Sequence, residues 1–205
     1  MSLKFTLIRS SELQTAQWAG GTTTQLHIFP ANATYKAFDF DYRISFATVE
    51  TPTSTFTFMP GVTRHLMVMK GTLDLTHTGR HEQHLEPFIP YTFDGEWPTT
   101  AVGKVTDFNL MTRGEFTGQA GALILENNNL KVTLDQQFYL PDNFACAGFY
   151  LFEGSAIIRT AAAGNSFELQ AGDFILVEPD GKAHQLILTT HDKMAKFATA
   201  VVLKH

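Results

Sequence analysis

Phe38-Asp39-Phe40-Asp41-Tyr42-Arg43-Ile44-Ser45-Phe46 alternates apolar and polar residues without a break. Successive side chains of an extended chain point to opposite faces, so this spacing predicts a strand with one apolar and one polar face. Val105-Thr106-Asp107-Phe108-Asn109-Leu110-Met111 repeats the pattern. Further strands are predicted at Leu66–Met69, Leu73–Leu75, Phe149–Phe152, Ala156–Arg159, Phe174–Val177, Gln185–Leu188 and Phe197–Leu203. Turn signals separate them at Lys70-Gly71, Thr78-Gly79, Asp94-Gly95, Gly154-Ser155, Gly164-Asn165 and Asp180-Gly181. No long stretch holds a helical period. One short helix is predicted between Ser10 and Gln17, capped by Ser10 or Ser11. Many short strands with close turns predict an all-β sandwich or barrel with little helix.

The two halves share landmarks. Val68-Met69-Lys70-Gly71-Thr72-Leu73 and Leu151-Phe152-Glu153-Gly154-Ser155-Ala156 each read as strand, glycine turn, strand. Leu85-Glu86-Pro87-Phe88 and Leu169-Gln170-Ala171-Gly172 each lead into a strand, and Asp94-Gly95 and Asp180-Gly181 are the next turns. The offsets are 83, 84 and 86 residues, a drift small enough to predict a duplicated unit. The expected organisation is one barrel over residues 1–125 and a second over 126–205, packed together, with the boundary near Glu126-Asn127-Asn128-Asn129. A single barrel with evenly spaced hairpins is the alternative.

Composition narrows the function classes. Of 205 residues, 44% are hydrophobic and 17% charged, so the chain can bury a core. The 18 phenylalanines favour strands. A net charge of -5 and the lack of any Lys/Arg run argue against nucleic acid as a partner. No apolar run reaches the roughly 18 residues of a membrane helix. The start, Met1 to Arg9, has too short an apolar stretch for a signal peptide. The lone Cys146, flanked by Ala145 and Ala147, reads as a packed core thiol that fits a reducing compartment. A cytoplasmic protein with no membrane partner is expected.

Gly172-Asp173-Phe174-Ile175-Leu176-Val177-Glu178-Pro179-Asp180-Gly181-Lys182-Ala183-His184 resembles the second conserved segment of a cupin barrel. Catalytic cupins hold a metal with a His-x-His pair, a Glu and a later His. This half has no His-x-His and one matching histidine, His184, whereas tight binding needs three or four ligands. His184 is read as a barrel-mouth or surface residue. Arg80-His81-Glu82-Gln83-His84 has the wrong spacing for one face of a strand and is read as a solvated loop. No metal or cofactor is expected.

Three segments of the first half resemble the HutD/Ves family of bacterial bicupins. Tyr42-Arg43-Ile44-Ser45-Phe46-Ala47-Thr48-Val49 is similar to its aromatic-Arg-x-Ser-x-Ala-x-Val strand. Phe56-Thr57-Phe58-Met59-Pro60-Gly61-Val62-Thr63-Arg64 is similar to its Phe-Pro-Gly-x-x-Arg segment. Pro87-Phe88, Phe93-Asp94-Gly95 and Asp107-Phe108-Asn109-Leu110-Met111-Thr112-Arg113 complete the likeness, in order and spacing, across roughly residues 5–115. Trp18-Ala19-Gly20-Gly21-Thr22-Thr23-Thr24-Gln25 departs from the family's opening: it lacks the Asn and has Gln25 where an acid is common. Gly20, Gly21 and Thr23 still fit.

The resemblance implies two tandem cupin-like barrels and a regulatory or metabolite-sensing role in histidine utilisation, with N-formylglutamate or urocanate as ligands. The residues agree with such chemistry. Asp107, Asn109, Met111 and Arg113 share one face of their strand. Arg43 and Arg64 come from the same expected barrel, and planar guanidinium donors suit a carboxylate. Asp107 could hold one arginine, and Asn109 could read a carbonyl or amide. Thr23, Arg43, Arg64, Asp107, Asn109 and Arg113 are therefore the candidate binding residues for a small carboxylate metabolite. A purely structural Arg–Asp network is the other reading. No catalytic residue is assigned, because there is no triad, phosphate loop or dinucleotide fingerprint. A cupin isomerase or dioxygenase using His65 or His184, and a partner-binding protein with a vestigial pocket, stay open. Edge-strand pairing leaves a homodimer open as well.

Overall fold

The computed structural model describes residues 3–127, 134–160, 165–179 and 184–205. In chain order the strands are β1 (Lys4–Ile8), β2 (Gln14–Trp18), β3 (Gly21–Phe29), β4 (Tyr42–Val49), β5 (Thr53–Thr55), β6 (Val62–Lys70), β7 (Leu73–His77), β8 (Glu82–Leu85), β9 (Pro90–Asp94), β10 (Thr99–Val102) and β11 (Thr106–Arg113). They continue as β12 (Phe116–Glu126), β13 (Leu134–Leu140), β14 (Phe144–Glu153), β15 (Ser155–Thr160), β16 (Ser166–Gln170), β17 (Phe174–Glu178), β18 (His184–Thr190) and β19 (Met194–Lys204). The fold is all-β, as the alternation predicts. Its helical content among the described residues is one 3-10 turn at Ser10–Glu12. The helix predicted to Gln17 stops there because Gln14–Trp18 pairs with Gln25–Gly21 in a hairpin.

The chain divides into two compact units. One comprises Leu13–Gly121 together with His205, the other residues 1–12 and 122–204. The predicted boundaries, 1–125 and 126–205, differ chiefly at the N-terminus. Strand β1 pairs antiparallel with β17, so the first strand is an element of the second unit. Arg9 reinforces it: its guanidinium donates to Asp173 at 2.7 Å, and the Ser10 N–H donates to the same carboxylate at 2.9 Å. Burial alone would raise Asp173, but the N–H groups of Gln170 and Ser10 and the Arg9 charge outweigh it and hold the carboxyl below its usual value.

Each unit is two antiparallel sheets in the manner of a cupin jelly roll. The first unit has a sheet ordered β2-β3-β4-β11-β6-β9 and a second ordered β5-β10-β7-β8. The other has β1-β17-β14-β19-β12 and β13-β18-β15-β16. The duplication is visible in this order. The run β4-β11-β6-β9 corresponds to β12-β19-β14-β17, and β5-β10-β7-β8 to β13-β18-β15-β16. Gly71 and Gly154 mark the same turn in the two copies, both left-handed with φ of 84° and 85°. A Cβ on Gly71 would sit 2.6 Å from the Lys104 carbonyl, and one on Gly154 2.3 Å from that of Met194. Of the predicted turns, Gly164 and Asp180-Gly181 lie outside the described residues, as do Asn128 and Asn129 at the predicted boundary.

Cores follow from which faces the sheets turn inward. In the first unit Leu66, Val68 and Phe93 of the six-stranded sheet pack with Leu73, Leu75, Leu85 and Ala101 of the four-stranded one. A second cluster joins Ile28, Phe40, Met59, Val62 and Met111, with Tyr35 against it. In the other unit Phe149, Leu151, Ile175, Val177, Leu186, Leu188 and Phe197 form the core. Cys146 is fully buried, as its small neighbours predict.

The stretch that predicts the fold is itself corrected at its start. Strand β4 begins at Tyr42, not Phe38. Phe38 takes a left-handed φ of 56°. Its carbonyl accepts from the Arg113 guanidinium, and the Asp39 carboxylate accepts the Thr34 N–H at 2.7 Å. The local Thr34–Asp39 bond, together with the long-range one from Arg113, folds Phe38–Asp41 into a loop despite its strand-like alternation.

Candidate functional site

The six-stranded sheet sets its residues in rows, because antiparallel partners face the same side. One row runs Thr23, Ala47, Asp107, Val68 across β3, β4, β11 and β6. The next runs Gln25, Ser45, Asn109, Leu66 and, on β9, Tyr91. The third runs Ile28, Arg43, Met111, Arg64, Phe93. Leu66, Val68 and Phe93 belong to the core between the two sheets of this unit. The polar face of β4 is therefore turned into the barrel, not to solvent.

Arg43 and Arg64 flank Met111 in one row and are 5% and 6% exposed. Arg43 is tied down on several sides. Its Nε donates to Gln25 Oε1 at 3.1 Å, its Nη1 to Ser45 Oγ at 2.9 Å, and its guanidinium lies 4.6 Å over the Tyr35 ring. Arg64 rests on aromatic faces, 4.6 Å from the Phe56 centroid and 5.7 Å from that of Phe93. Its buried Nε has no hydrogen-bond partner, and neither has the buried Oδ1 of Asn109. Burial pulls Arg43 down to about 10, opposed by Tyr35 and assisted by the nearby Arg64. Burial likewise lowers Arg64, while Tyr35 and Asp107 pull the other way. Both remain cations at neutral pH.

Asp107 is 6% exposed on the same face. Burial pushes its carboxyl up to about 7, and Arg64 offsets only part of that. The arrangement is thus two buried guanidiniums and one half-neutralised carboxyl, with an unpaired amide oxygen beside them. A buried charge without a counter-ion is costly, and the two guanidiniums share this one carboxyl.

The structure brings Arg43, Arg64, Asp107 and Asn109 together. Thr23 lies in the Asp107 row at β3 and is half-buried. Arg113 stands apart: it lies at the end of β11 beyond Met111, and its guanidinium serves the Phe38 carbonyl. Sequence reasoning gave Tyr35, Gln25 and Ser45 no place in the site. Gln25 and Ser45 were legible from the period of two that puts them with Thr23 and Arg43. Tyr35 sits in a loop with no pattern. The Gly20-Gly21 segment forms the β2–β3 turn at the end of the sheet away from Arg43 and lines a groove of about 250 Å³ with Trp18, Thr22, Glu50 and Thr51.

A second polar cluster occupies β7, β9 and β10. The Thr99 hydroxyl donates to the Trp97 carbonyl at 2.9 Å, so at 2.8 Å it accepts from His77 Nδ1. Neutral His77 then accepts from the Tyr91 hydroxyl through Nε2 at 3.0 Å, and Tyr91 accepts from His81 Nε2 at 2.8 Å. Burial first, then the nearby His81 and Arg80, lower His77. Of Arg80–His84, expected as a solvated loop, Glu82, Gln83 and His84 lie in strand β8, paired with β7. There His84 bonds Asp74 at 2.6 Å and Glu86 at 3.2 Å, which raise its pKa. His65 points to the other face of β6, bonded to Thr92 at 2.8 Å. The His184 side chain lies outside the described residues. Among the described residues no three His, Cys, Asp or Glu side chains converge as a metal site would require. No helix among them is long and apolar enough to cross a membrane.

Three comparisons with known proteins, by family profile, by curated sequence and by solved structure, add to this. The sequence profile of the HutD family matches residues 10–195. The fold is similar to that of a conserved protein of unknown function from Pseudomonas aeruginosa PAO1, with a TM-score of 0.78 and 17% identity over 98% of this chain and 100% of that one. It is also similar to HutD from Pseudomonas fluorescens SBW25 in a formate condition, with a TM-score of 0.73 and 17% identity over 98% and 100%. A vicilin from Solanum melongena, described as holding different anionic ligands in structurally similar pockets, aligns with a TM-score of 0.63 and 8% identity over 96% and 84%. A search of curated proteins finds no match.

Proposed function

The chain belongs to the HutD family, a family tied to histidine utilisation, and from that premise we propose that it binds a small carboxylate metabolite, without a metal, in a regulatory role. The observation that carries the reading is Arg64: a buried guanidinium on aromatic faces, with its Nε unpaired and the unpaired Asn109 Oδ1 on the neighbouring strand. A carboxylate supplies the planar pair of acceptors that such a fork lacks. Arg43, held by Gln25 and Ser45, is already oriented and contributes a second positive charge. Asn109 and Asp107 read a polar group further along the ligand, and Thr23 borders that row.

N-formylglutamate and urocanate are the candidate ligands; both join a carboxylate to a second polar group. The formate condition of the Pseudomonas fluorescens HutD structure suggests formate as the smallest probe. Thermal unfolding against N-formylglutamate, urocanate, histidine, glutamate and formate tests the reading. A ligand at about a hundred times its dissociation constant adds ~2.7 kcal/mol. For a chain of this length that is a rise on the order of 5–10 °C. The rise should survive a chelator and vanish in Arg64→Ala. An equal rise in Arg64→Ala would sink the proposal.

A further inference from the structure

We propose that the site takes up a proton at Asp107 when it captures its anion, so that pH sets its affinity; this rests on the carboxylate reading above.

The geometry isolates Asp107. It lies on the inward face with Ala47 and Val68 as its cross-strand partners, neither of which can donate a hydrogen bond from its side chain. From β3 it is faced by Thr23 and Gln25, both uncharged. From β4 come Arg43 and Ser45, and Arg43 spends two donors on Gln25 and Ser45. From β6 comes Arg64, and from its own strand Asn109. Of the titratable groups on this face, Tyr35 from the loop before β4 acts on Arg43 and Arg64, and Tyr91 of β9 has its hydroxyl engaged by His77 and His81. No described side chain ion-pairs with the Asp107 carboxylate or bonds to it. Arg64 alone opposes the burial that disfavours its charged form.

An anion seated on Arg64 competes for that one cation. It also excludes water and places a second negative charge beside the first. All three effects favour the protonated carboxyl. The bound site therefore holds the proton that the empty site shares with solvent near neutrality. By linkage, affinity falls as pH rises through the carboxyl's transition, about tenfold per pH unit once Asp107 is ionised in the empty site. The protonated carboxyl also becomes a hydrogen-bond donor, which a ligand carboxylate oxygen can accept.

Isothermal titration calorimetry with N-formylglutamate, which has no group titrating between about pH 5 and pH 9, reads the coupling directly. The titration is run at each pH in two cationic buffers whose ionisation enthalpies differ, Tris and triethanolamine at pH 8, so that the buffer does not compete as an anion. The expected result is uptake of close to one proton at pH 8 and of none at pH 5, with affinity lower at pH 8. In Asp107→Asn the uptake should disappear and the affinity should become independent of pH. Equal affinity at both pH values with no uptake would overturn the coupling and leave the carboxylate reading standing. No binding of N-formylglutamate or acetate at either pH, with Arg64→Ala behaving as wild type, would overturn both.

Discussion

Arg64 and Asp107 carry opposite charges on adjacent strands, yet each is worse off buried than in water. For Asp107 the sign is clear. The folded carboxyl titrates near 7, against 3.8 unperturbed, so the native state holds its proton to higher pH than the unfolded chain. Its ionisation costs stability as pH rises from 3.8 to about 7, and the full penalty, on the order of 4 kcal/mol, applies above that. The ligand-free Asp107→Asn protein should therefore be more stable than wild type at pH 8 and little changed at pH 4, read by urea denaturation. His65 acts at the acid end. Burial pulls it down to about 4, so the folded state refuses a proton that the unfolded chain accepts below 6.5. Stability should fall by about 3 kcal/mol on acidifying from pH 6.5 to pH 4. His65→Gln should flatten that limb, and an unchanged acid midpoint would contradict the assignment. Arg64→Met separates function from stability at pH 5, where Asp107 is protonated and loses nothing with the cation: the empty protein should be at least as stable as wild type there, while the carboxylate response is abolished.

Among the elements, the chain His81–Tyr91–His77–Thr99 ties β7, β9 and β10 together at one end of the barrel. Tyr91→Phe keeps the ring against Phe93 but leaves the buried His77 Nε2 without a donor. It should cost about 1–3 kcal/mol. The two turn glycines predict a matched pair of effects. Alanine at Gly71 or Gly154 must accept both a left-handed backbone and a collision with a carbonyl oxygen. Each should lose more than about 1 kcal/mol, whereas alanine at Gly79, which meets nothing within 4 Å, should lose less. These glycines were legible because a strand–glycine–strand pattern recurs at a fixed offset. Strand β2 was not, since Gln14–Trp18 is exposed along its length and carries no inward face for a pattern to report. The start of β4 was misread for the reverse reason: Phe38–Asp41 alternates, but short side-chain bonds to the backbone outcompete extension there.

At the scale of the molecule, the exchange of the N-terminal segment has the widest consequence. Strand β1 completes a sheet of the unit formed mainly by residues 122–204, and Leu3, Phe5 and Leu7 pack on its core. Removing residues 1–9 would strip those side chains, uncover the edge of β17 and leave Asp173 without Arg9. At roughly 1.5–3 kcal/mol for each apolar side chain fully buried, that unit should lose about 4 kcal/mol or more. Its unfolding should then separate from that of residues 13–121 in a denaturant titration, and a single unshifted transition would argue against it.

The local pattern of periodicity and motif order was readable along the chain alone. It specified an all-β fold, the repeat of one strand-and-turn unit, the strands that carry Arg43, Asp107 and Asn109, and the family likeness borne by those strands. These signals survive because alternation and turn chemistry are written within a few residues of one another. Tertiary structure decided which way the polar faces turned, since alternation is the same whether the second face meets water or a barrel interior. It also decided that β1 joins the far unit, that Arg113 serves a loop carbonyl, and that Tyr35 covers Arg43. All but the last depend on partners tens of residues distant, and the last on a loop residue outside any periodic pattern; the free energy of burial that selects them comes into being only when those partners meet.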